Sequence, residues 1–421
     1  MSNKLHRLDR RSFIKAAGAL GAVSALPLGL AGCTVSLTST SAATGDGSSS
    51  GDPVKIGILA PSSGNFAVYG NEIIRGTQLY LDDVMGGEVA GRPIEYVIED
   101  SEGNPEVALQ KSRKLVEQDE VDLVTGIISS GVLMGVREYY DEVQKLLIVS
   151  NAGANPISRG LKSPYIWRAS FSNWMMGARM ATWLSENVGK KAALIVSDYT
   201  AGHNERDSFV WHFQEGGGEV VNTILAPFPA IGDPAPLIAD LASTDADFFY
   251  VFVPGGNGLS FFKSAVEFDL MSQIPMYTNS AQVSEDVLPL LGDDALGLKS
   301  SWLWSYVSDI PENDEFVSMF EEKHEVSPST FALQAFDAGH VITEMLTRVE
   351  GDTSDLDAMI GALAGISFDS PRGPFTLDEA TQNPRHDWYL REVVKTDDGA
   401  LHNANLENLG EIVDPGDDSM G

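Results

Sequence analysis

The stretches DLVTGIISSG, residues 122–131, and LLIVSNAGANP, residues 146–156, decide how this chain is read. Each opens as an apolar run short enough for a buried strand and closes in small or polar residues. Residues 133–143 between them have helical spacing, so the order is strand, turn, helix, strand, turn. In a parallel α/β sheet both turns lie at the carboxyl ends of their strands, where such folds bind ligands. Ser129-Ser130-Gly131 also opens the helix, so its free N–H groups and hydroxyls suit an anion. The two turns read as half of a ligand cleft.

The same alternation extends outward. VKIGILA (54–60) reads as a strand ending in the turn Pro61-Ser62-Ser63-Gly64, followed by a helix over 70–84, a strand at 94–99 and a helix opened by Asn104-Pro105. After a short extended segment at 165–169 the pattern restarts, with strands at 192–197, 220–226, 248–253 and 275–278 separated by helices. Two successive arrays of this kind predict an α/β protein with two doubly wound lobes. The last third holds too few elements for a third domain: a strand at 297–305, three helices and a strand at 388–394 before an acidic tail. The expected division is therefore residues 54–169 plus 282–370 in lobe 1, 170–281 plus 371–405 in lobe 2, and a tail over 406–421. Three crossings between lobes would form a hinge.

The amino terminus reads as an address. Asp9-Arg10-Arg11-Ser12-Phe13-Ile14-Lys15 fits the twin-arginine export pattern, an apolar run follows, and Leu30-Ala31-Gly32-Cys33 resembles a lipoprotein cleavage box. Residues 1–32 are then a signal, Cys33 the lipidated residue, and 33–53 a Ser/Thr/Gly-rich flexible tether. Cys33 is the sole cysteine, so no intrachain disulfide or cysteine-based site can form. Without the signal the chain carries 23 basic against 59 acidic residues, a net charge of −36. Nucleic acid is an unsuitable partner for such a surface. Acidity spread along the chain with few lysines fits adaptation to high salt, where self-repulsion is screened.

Two lobes and a hinge describe a ligand clamp. On lobe 1 the candidate contacts are Ser63, Asn65, Phe66 and Tyr69 in the first turn, Ser129 and Ser130 in the second, and Asn151, Ala152, Gly153 and Ala154 in the third. Phe66 and Tyr69 could instead staple a helix to its strand, and Ser129 and Ser130 are also natural helix caps. On lobe 2, Tyr199, Gly255, Gly256 and Asn279 stand at the matching strand ends. The loop Gly255–Gly258 lacks the spacing of a dinucleotide fingerprint. The histidines are scattered without metal-ligand spacing, and there is no Gly-x-Ser-x-Gly elbow or Walker sequence. No enzyme, metal or cofactor is expected.

The order of signal, lipobox, tether, VKIGILAPSSG (54–64), AVYG (67–70) and GRPIEYVIEDSEGNPEVA (91–108) resembles the leucine/isoleucine/valine-type extracellular solute-binding proteins of ABC importers. SNAGANP (150–156), WRASFSN (167–173), FDSPRGPFTL (368–377) and NPRHDWYLREV (383–393) resemble the branch associated with aromatic carboxylates. The resemblance implies a type I periplasmic-binding-protein fold, with two Rossmann-like lobes joined by a three-strand hinge and ligand enclosed on closure. It maps the carboxylate-binding Ser of amino-acid members onto Ser130, and their backbone and hydroxyl contacts onto Ala152 and Ala154. Ala154 lacks that hydroxyl, Ala201 stands where those members have a Tyr before Gly202, and TNSAQ (278–282) lacks their ammonium-pairing acid. A buried ammonium without a counter-charge costs several kcal/mol. A carboxylate with an apolar or aromatic body is the better expected ligand, with a branched-chain amino acid as the alternative; Arg168 is a second possible anion partner.

The expected protein is thus a monomeric receptor on the outer face of the cell membrane, held by lipid at Cys33, delivering a small organic anion to ABC permease subunits. A sensory receptor of the same fold is the alternative from another class; a hydrolase would need nucleophile motifs that are missing.

Overall fold

The computed structural model describes residues 51–418, so the twin-arginine segment, Cys33 and most of the tether lie outside the described residues. The first sheet is built from β1 (Val54–Ala60), β2 (Glu88–Val89), β3 (Arg92–Asp100), β4 (Leu123–Gly126), β5 (Leu147–Val149) and β6 (Ile166–Arg168), in the order β2-β3-β1-β4-β5-β6. All neighbours are parallel except the β2–β3 hairpin. Its helices include α1 (Ala67–Gln78), α2 (Pro105–Glu117) and α3 (Ser130–Val143). Asn104 caps α2 by accepting from the Glu106 N–H at 2.8 Å, and Ser129 caps α3 by accepting from the Val132 N–H at 3.4 Å.

The chain then crosses into α4 (Asn173–Asn187), β7 (Lys191–Ser197), α5 (Thr200–Glu215), β8 (Glu219–Ala226), α6 (Ala235–Ala242), β9 (Phe248–Phe252), α7 (Gly256–Glu267), α8 (Leu270–Gln273) and β10 (Met276–Asn279). These strands form the parallel part of the second sheet. β9, FFYVF, is buried at every position, as a central parallel strand covered on both faces must be. After α9 (Leu288–Leu291) come β11 (Lys299–Trp302), α10 (Pro311–His324), α11 (Thr330–Arg348), α12 (Leu356–Leu363), β12 (Ser367–Ser370), β13 (Gly373–Asp378), β14 (Asn383–Lys395) and β15 (Leu401–Ile412). α11 lies along α1 so closely that a Cβ on Gly76 would stand 2.0 Å from the Ala332 carbonyl oxygen.

Three differences from the sequence reading follow from pairing. β11 lies between β10 and β14, so the chain stays with the second sheet past residue 282 and reaches the first only through α11. The expected acidic tail begins inside a strand: β15 runs to Ile412, antiparallel to β14, and its exposed outer positions hide the alternation that marks a half-buried strand. FDSPRGPFTL forms the hairpin β12–β13, turning at Arg372. Arg372 is fully buried and ties the hairpin to α11 and the crossing: its Nε donates to Asp337 Oδ2 at 2.7 Å, its Nη2 to the Ala169 carbonyl at 2.6 Å and its Nη1 to the Ser170 carbonyl at 3.1 Å.

Candidate ligand-binding site

Between the carboxyl ends of the two sheets lies a small cavity of about 40 Å³. Phe66 and Tyr69 line it from the start of α1, and Phe331 stacks on Tyr69 with ring centroids 4.0 Å apart. Tyr199, Phe252 and Met176 line it from the second sheet's side, and Phe171 and Trp302, in edge contact at 4.8 Å, complete an aromatic enclosure. The polar side chains on its wall are Ser130, Asn151, Asn173 and the Tyr69 and Tyr199 hydroxyls, and none of the lining residues is ionised at neutral pH.

Ser130 and Asn173 begin α3 and α4, so two helix N-termini, with their partial positive charge, meet the cavity. Asn173 Nδ2 donates to Ser130 Oγ at 3.1 Å. A hydroxyl that accepts this bond keeps its own hydrogen to donate elsewhere. The Asn173 N–H donates to the Gly153 carbonyl at 2.6 Å, and a Cβ on Gly153 would fall 2.5 Å from Asn173 Oδ1 and 2.7 Å from Phe171 Cε2. Only glycine permits that approach. Asn151 is oriented by donating through Nδ2 to Gln334 Oε1 at 2.6 Å. Ile127, a β-branched residue at φ +66°, turns the chain just before the Ser129–Ser130 pair, the kind of backbone strain that clusters at functional sites.

Six of the residues singled out in the sequence therefore share one cavity: Phe66, Tyr69, Ser130, Asn151, Gly153 and Tyr199. Others do different work. Ser63 is exposed and donates to Asp100 Oδ2 at 2.9 Å, and Ser129 is spent on its cap. Ala152 and Ala154 are packed in the core of the first sheet. Asn65, Gly255 and Gly256 latch the two sheets together: Asn65 Nδ2 donates to the Pro254 carbonyl at 3.2 Å, and the Gly256 N–H donates to the Asn65 carbonyl at 3.2 Å. Gly255 sits at φ +74°, and a Cβ there would approach the Asn65 carbonyl to 2.3 Å. Arg168 is buried in the hinge region, donating to the Ala154 carbonyl at 2.8 Å and to Ser158 Oγ, away from the cavity. Phe171, Asn173, Met176, Phe252, Trp302 and Phe331 also line the cavity but are not among the candidates read from the sequence. WRASFSN signalled two of them; the others sit inside helices and strands, where an apolar side chain in the site is indistinguishable from core.

Asn279 stands behind the wall. Its Nδ2 lies 3.1 Å from both carboxylate oxygens of Glu205 and 3.6 Å from Met176 Sδ. So TNSAQ has no acid of its own, but the tertiary structure brings Glu205, from α5, against it. Glu205 is fully buried with Tyr250 and Asn279 as neutral partners, and burial pushes its carboxyl up to about 8.

A family model described as periplasmic binding protein matches residues 53–400, and one for a twin-arginine translocation signal sequence matches residues 7–27. The Leu/Ile/Val-binding protein homolog 6 of Brucella melitensis is 30% identical over 370 residues, which are 87% of this chain and 94% of that protein. The solute-binding protein of an ABC transporter from R. palustris, solved in complex with benzoate, is 32% identical with a TM-score of 0.81, over 86% of this chain and 98% of that one. A solute-binding protein from Rhodopseudomonas palustris BisB5, solved with 3,4-dihydroxybenzoic acid, is 30% identical with a TM-score of 0.81, over 87% and 99%.

Proposed function

The chain belongs to the periplasmic binding protein family, and from that premise we propose that it is the lipid-anchored receptor of an ABC importer, binding a small aromatic carboxylate and releasing it to a permease. The observation that carries this reading is the cavity wall: aromatic on nearly every side, uncharged, and polar chiefly where α3 and α4 begin. A benzoate-like anion would direct its carboxylate to the Ser130 hydroxyl and the helix N-termini, and its ring to Phe66, Tyr199 and Trp302. An α-amino acid would also need a counter-charge for its ammonium. Glu205 does not line the cavity and is protonated at neutral pH, so it is poorly placed to supply one. The solved relatives with benzoate and dihydroxybenzoate support the same choice. On this reading, supported by its solute-binding relatives, the protein works as a carrier.

Anchoring belongs to the proposal as well. The twin-arginine match ends a few residues before Leu30-Ala31-Gly32-Cys33, so export would be followed by lipid attachment at Cys33. The deciding experiment is a thermal-shift panel of benzoate, 4-hydroxybenzoate, leucine, valine and phenylalanine in high salt. A ligand at a hundred times its Kd should add about 2.7 kcal/mol of stability. Stabilisation by leucine or valine with none by the benzoates would overturn the reading.

A further inference from the structure

At the Ser130 end of the cavity, a chain of hydrogen bonds runs from one side of the cleft to the other and back. It starts at Asn155, just past the turn that follows β5, whose backbone N–H donates to Asn204 Oδ1 at 3.2 Å. Asn204 stands in α5, on the second sheet's side. Asn173, the first residue of α4, donates through Nδ2 to the same Asn204 Oδ1 at 3.3 Å and to Ser130 Oγ at 3.1 Å. Asn155 is itself held in place, because its Oδ1 accepts from the Trp174 N–H at 2.8 Å. Ser130, Asn155 and Asn173 are buried, whereas Asn204 is half-buried and does not line the aromatic cavity.

The direction of this chain is forced from its far end. A side-chain amide can be turned end for end at little steric cost, so its partners decide whether oxygen or nitrogen points their way. A backbone N–H can only donate, so the Asn204 atom facing Asn155 has to be the oxygen. That oxygen can only accept, so Asn173 must turn its NH₂ towards it, and the second hydrogen of the NH₂ then meets Ser130. Ser130 Oγ is thereby an acceptor on this side, and its own hydrogen is left for the cavity. With Asn173 turned the other way, its oxygen would draw in the Ser130 hydrogen. The hydroxyl would then face a carboxylate with lone pairs only, losing a charge-assisted bond and setting two shielded acceptors against each other.

We infer that Asn204 is a positioning residue that sets the preference of the cavity for an anion: it stands outside the wall, but fixes the Asn173 amide so that Ser130 offers a hydrogen and not a lone pair. Its role rests on the aromatic-carboxylate reading given above and names the residue that enforces it. Ser130 and Asn155 belong to elements of the first sheet and Asn204 to an element of the second, so the chain is complete only when the two sides of the cleft meet. Closure and the choice of a carboxylate are therefore coupled.

The test is calorimetric titration with benzoate of the parent protein, Ser130→Ala, Asn204→Leu and the double variant. Leucine is close to asparagine in size, suits a half-buried helix position and removes the acceptor. Asn204→Leu should bind benzoate about ten-fold more weakly than the parent. The double variant should bind it as Ser130→Ala alone does, because without the hydroxyl there is no hydrogen left to direct. Asn204→Ala, which leaves space instead of bulk, should give the same pattern. Benzamide can meet the Ser130 hydroxyl with its carbonyl or its NH₂, so it should lose much less affinity in Asn204→Leu. Unchanged benzoate affinity in Asn204→Leu, losses that add in the double variant, or equal losses for benzoate and benzamide each overturn the role of Asn204 and leave the carboxylate reading standing. Failure of the parent protein to bind benzoate overturns that reading, and the role of Asn204 with it.

Discussion

The Tyr69 hydroxyl, on the helix that follows β1, donates to the Ala281 carbonyl oxygen 2.8 Å away, just beyond β10 of the other sheet. The Tyr69 hydroxyl oxygen in turn accepts from the Gly255 N–H at 2.7 Å, so one buried phenol holds two segments of the second lobe against the first. Tyr69→Phe keeps the ring stacking on Phe331 but removes both bonds. Closure should weaken by about 1–3 kcal/mol, because the buried Gly255 N–H and Ala281 carbonyl lose their partner. Stopped-flow release should record faster ligand dissociation with a nearly unchanged melting temperature of the free protein.

Ser130→Ala tests the anion end. The hydroxyl accepts from Asn173 and has its hydrogen free, so its loss should cost a carboxylate ligand about 1.5–3 kcal/mol of affinity. An uncharged isostere such as benzamide should lose much less. Equal losses for the two ligands, measured by titration, would remove Ser130 as a carboxylate donor.

Glu205 makes stability pH-dependent. Its carboxyl titrates at about 8 in the folded protein against 4.5 for an unperturbed glutamate. Between those values the folded protein holds a proton that the unfolded chain has released. Stability from this group is therefore greatest below pH 4.5 and falls by roughly 1.4 kcal/mol per pH unit until about pH 8. Glu205→Gln should flatten that slope and gain on the parent as pH rises. Denaturant unfolding of both proteins from pH 5 to 8 gives the difference directly, since other buried acids contribute equally to each.

Arg372 and Asp337 form a buried pair whose remaining donors hold the carbonyls of Ala169 and Ser170 at the first crossing. Arg372→Met leaves Asp337 without its counter-charge and should destabilise the protein by about 3–5 kcal/mol. Chemical denaturation measures the loss; a cost under 1 kcal/mol would mean that the pair is dispensable.

A net charge of −36 over residues 33–421 predicts salt-dependent folding. Raising salt from 0.1 M to 1 M shortens the screening length from about 10 Å to about 3 Å, so the unfolding midpoint should climb with ionic strength. A midpoint insensitive to salt would mark the acidity as a solubility device only.

Much of this could be read from residue order. VKIGILA, LLIV and FFYVF are buried parallel strands because apolar residues dominate each run, Lys55 being the one charge among them, and Asn104-Pro105 and Ser129 start helices because the Asn104 and Ser129 side chains can accept the first free N–H groups. Ser130 and Gly153 were legible as cavity-lining residues since a strand's carboxyl end in such a sheet must face the cleft. β15 was not, because a sheet-edge strand shows polar residues on most of its length.

By itself the sequence determined the class of the fold, the export signal, and the helix-opening turn at Ser129–Gly131, all of which rest on local patterns. Tertiary structure alone decided which aromatic side chains leave the core to become walls, for Phe252 and Trp302 read like any buried strand residue until the second sheet faces the first. It also placed Glu205 beside Asn279, 74 residues away. The turn pair at 122–156 thus supplies one end of the site. The rest comes from closure, where distance along the chain carries no information about distance in space.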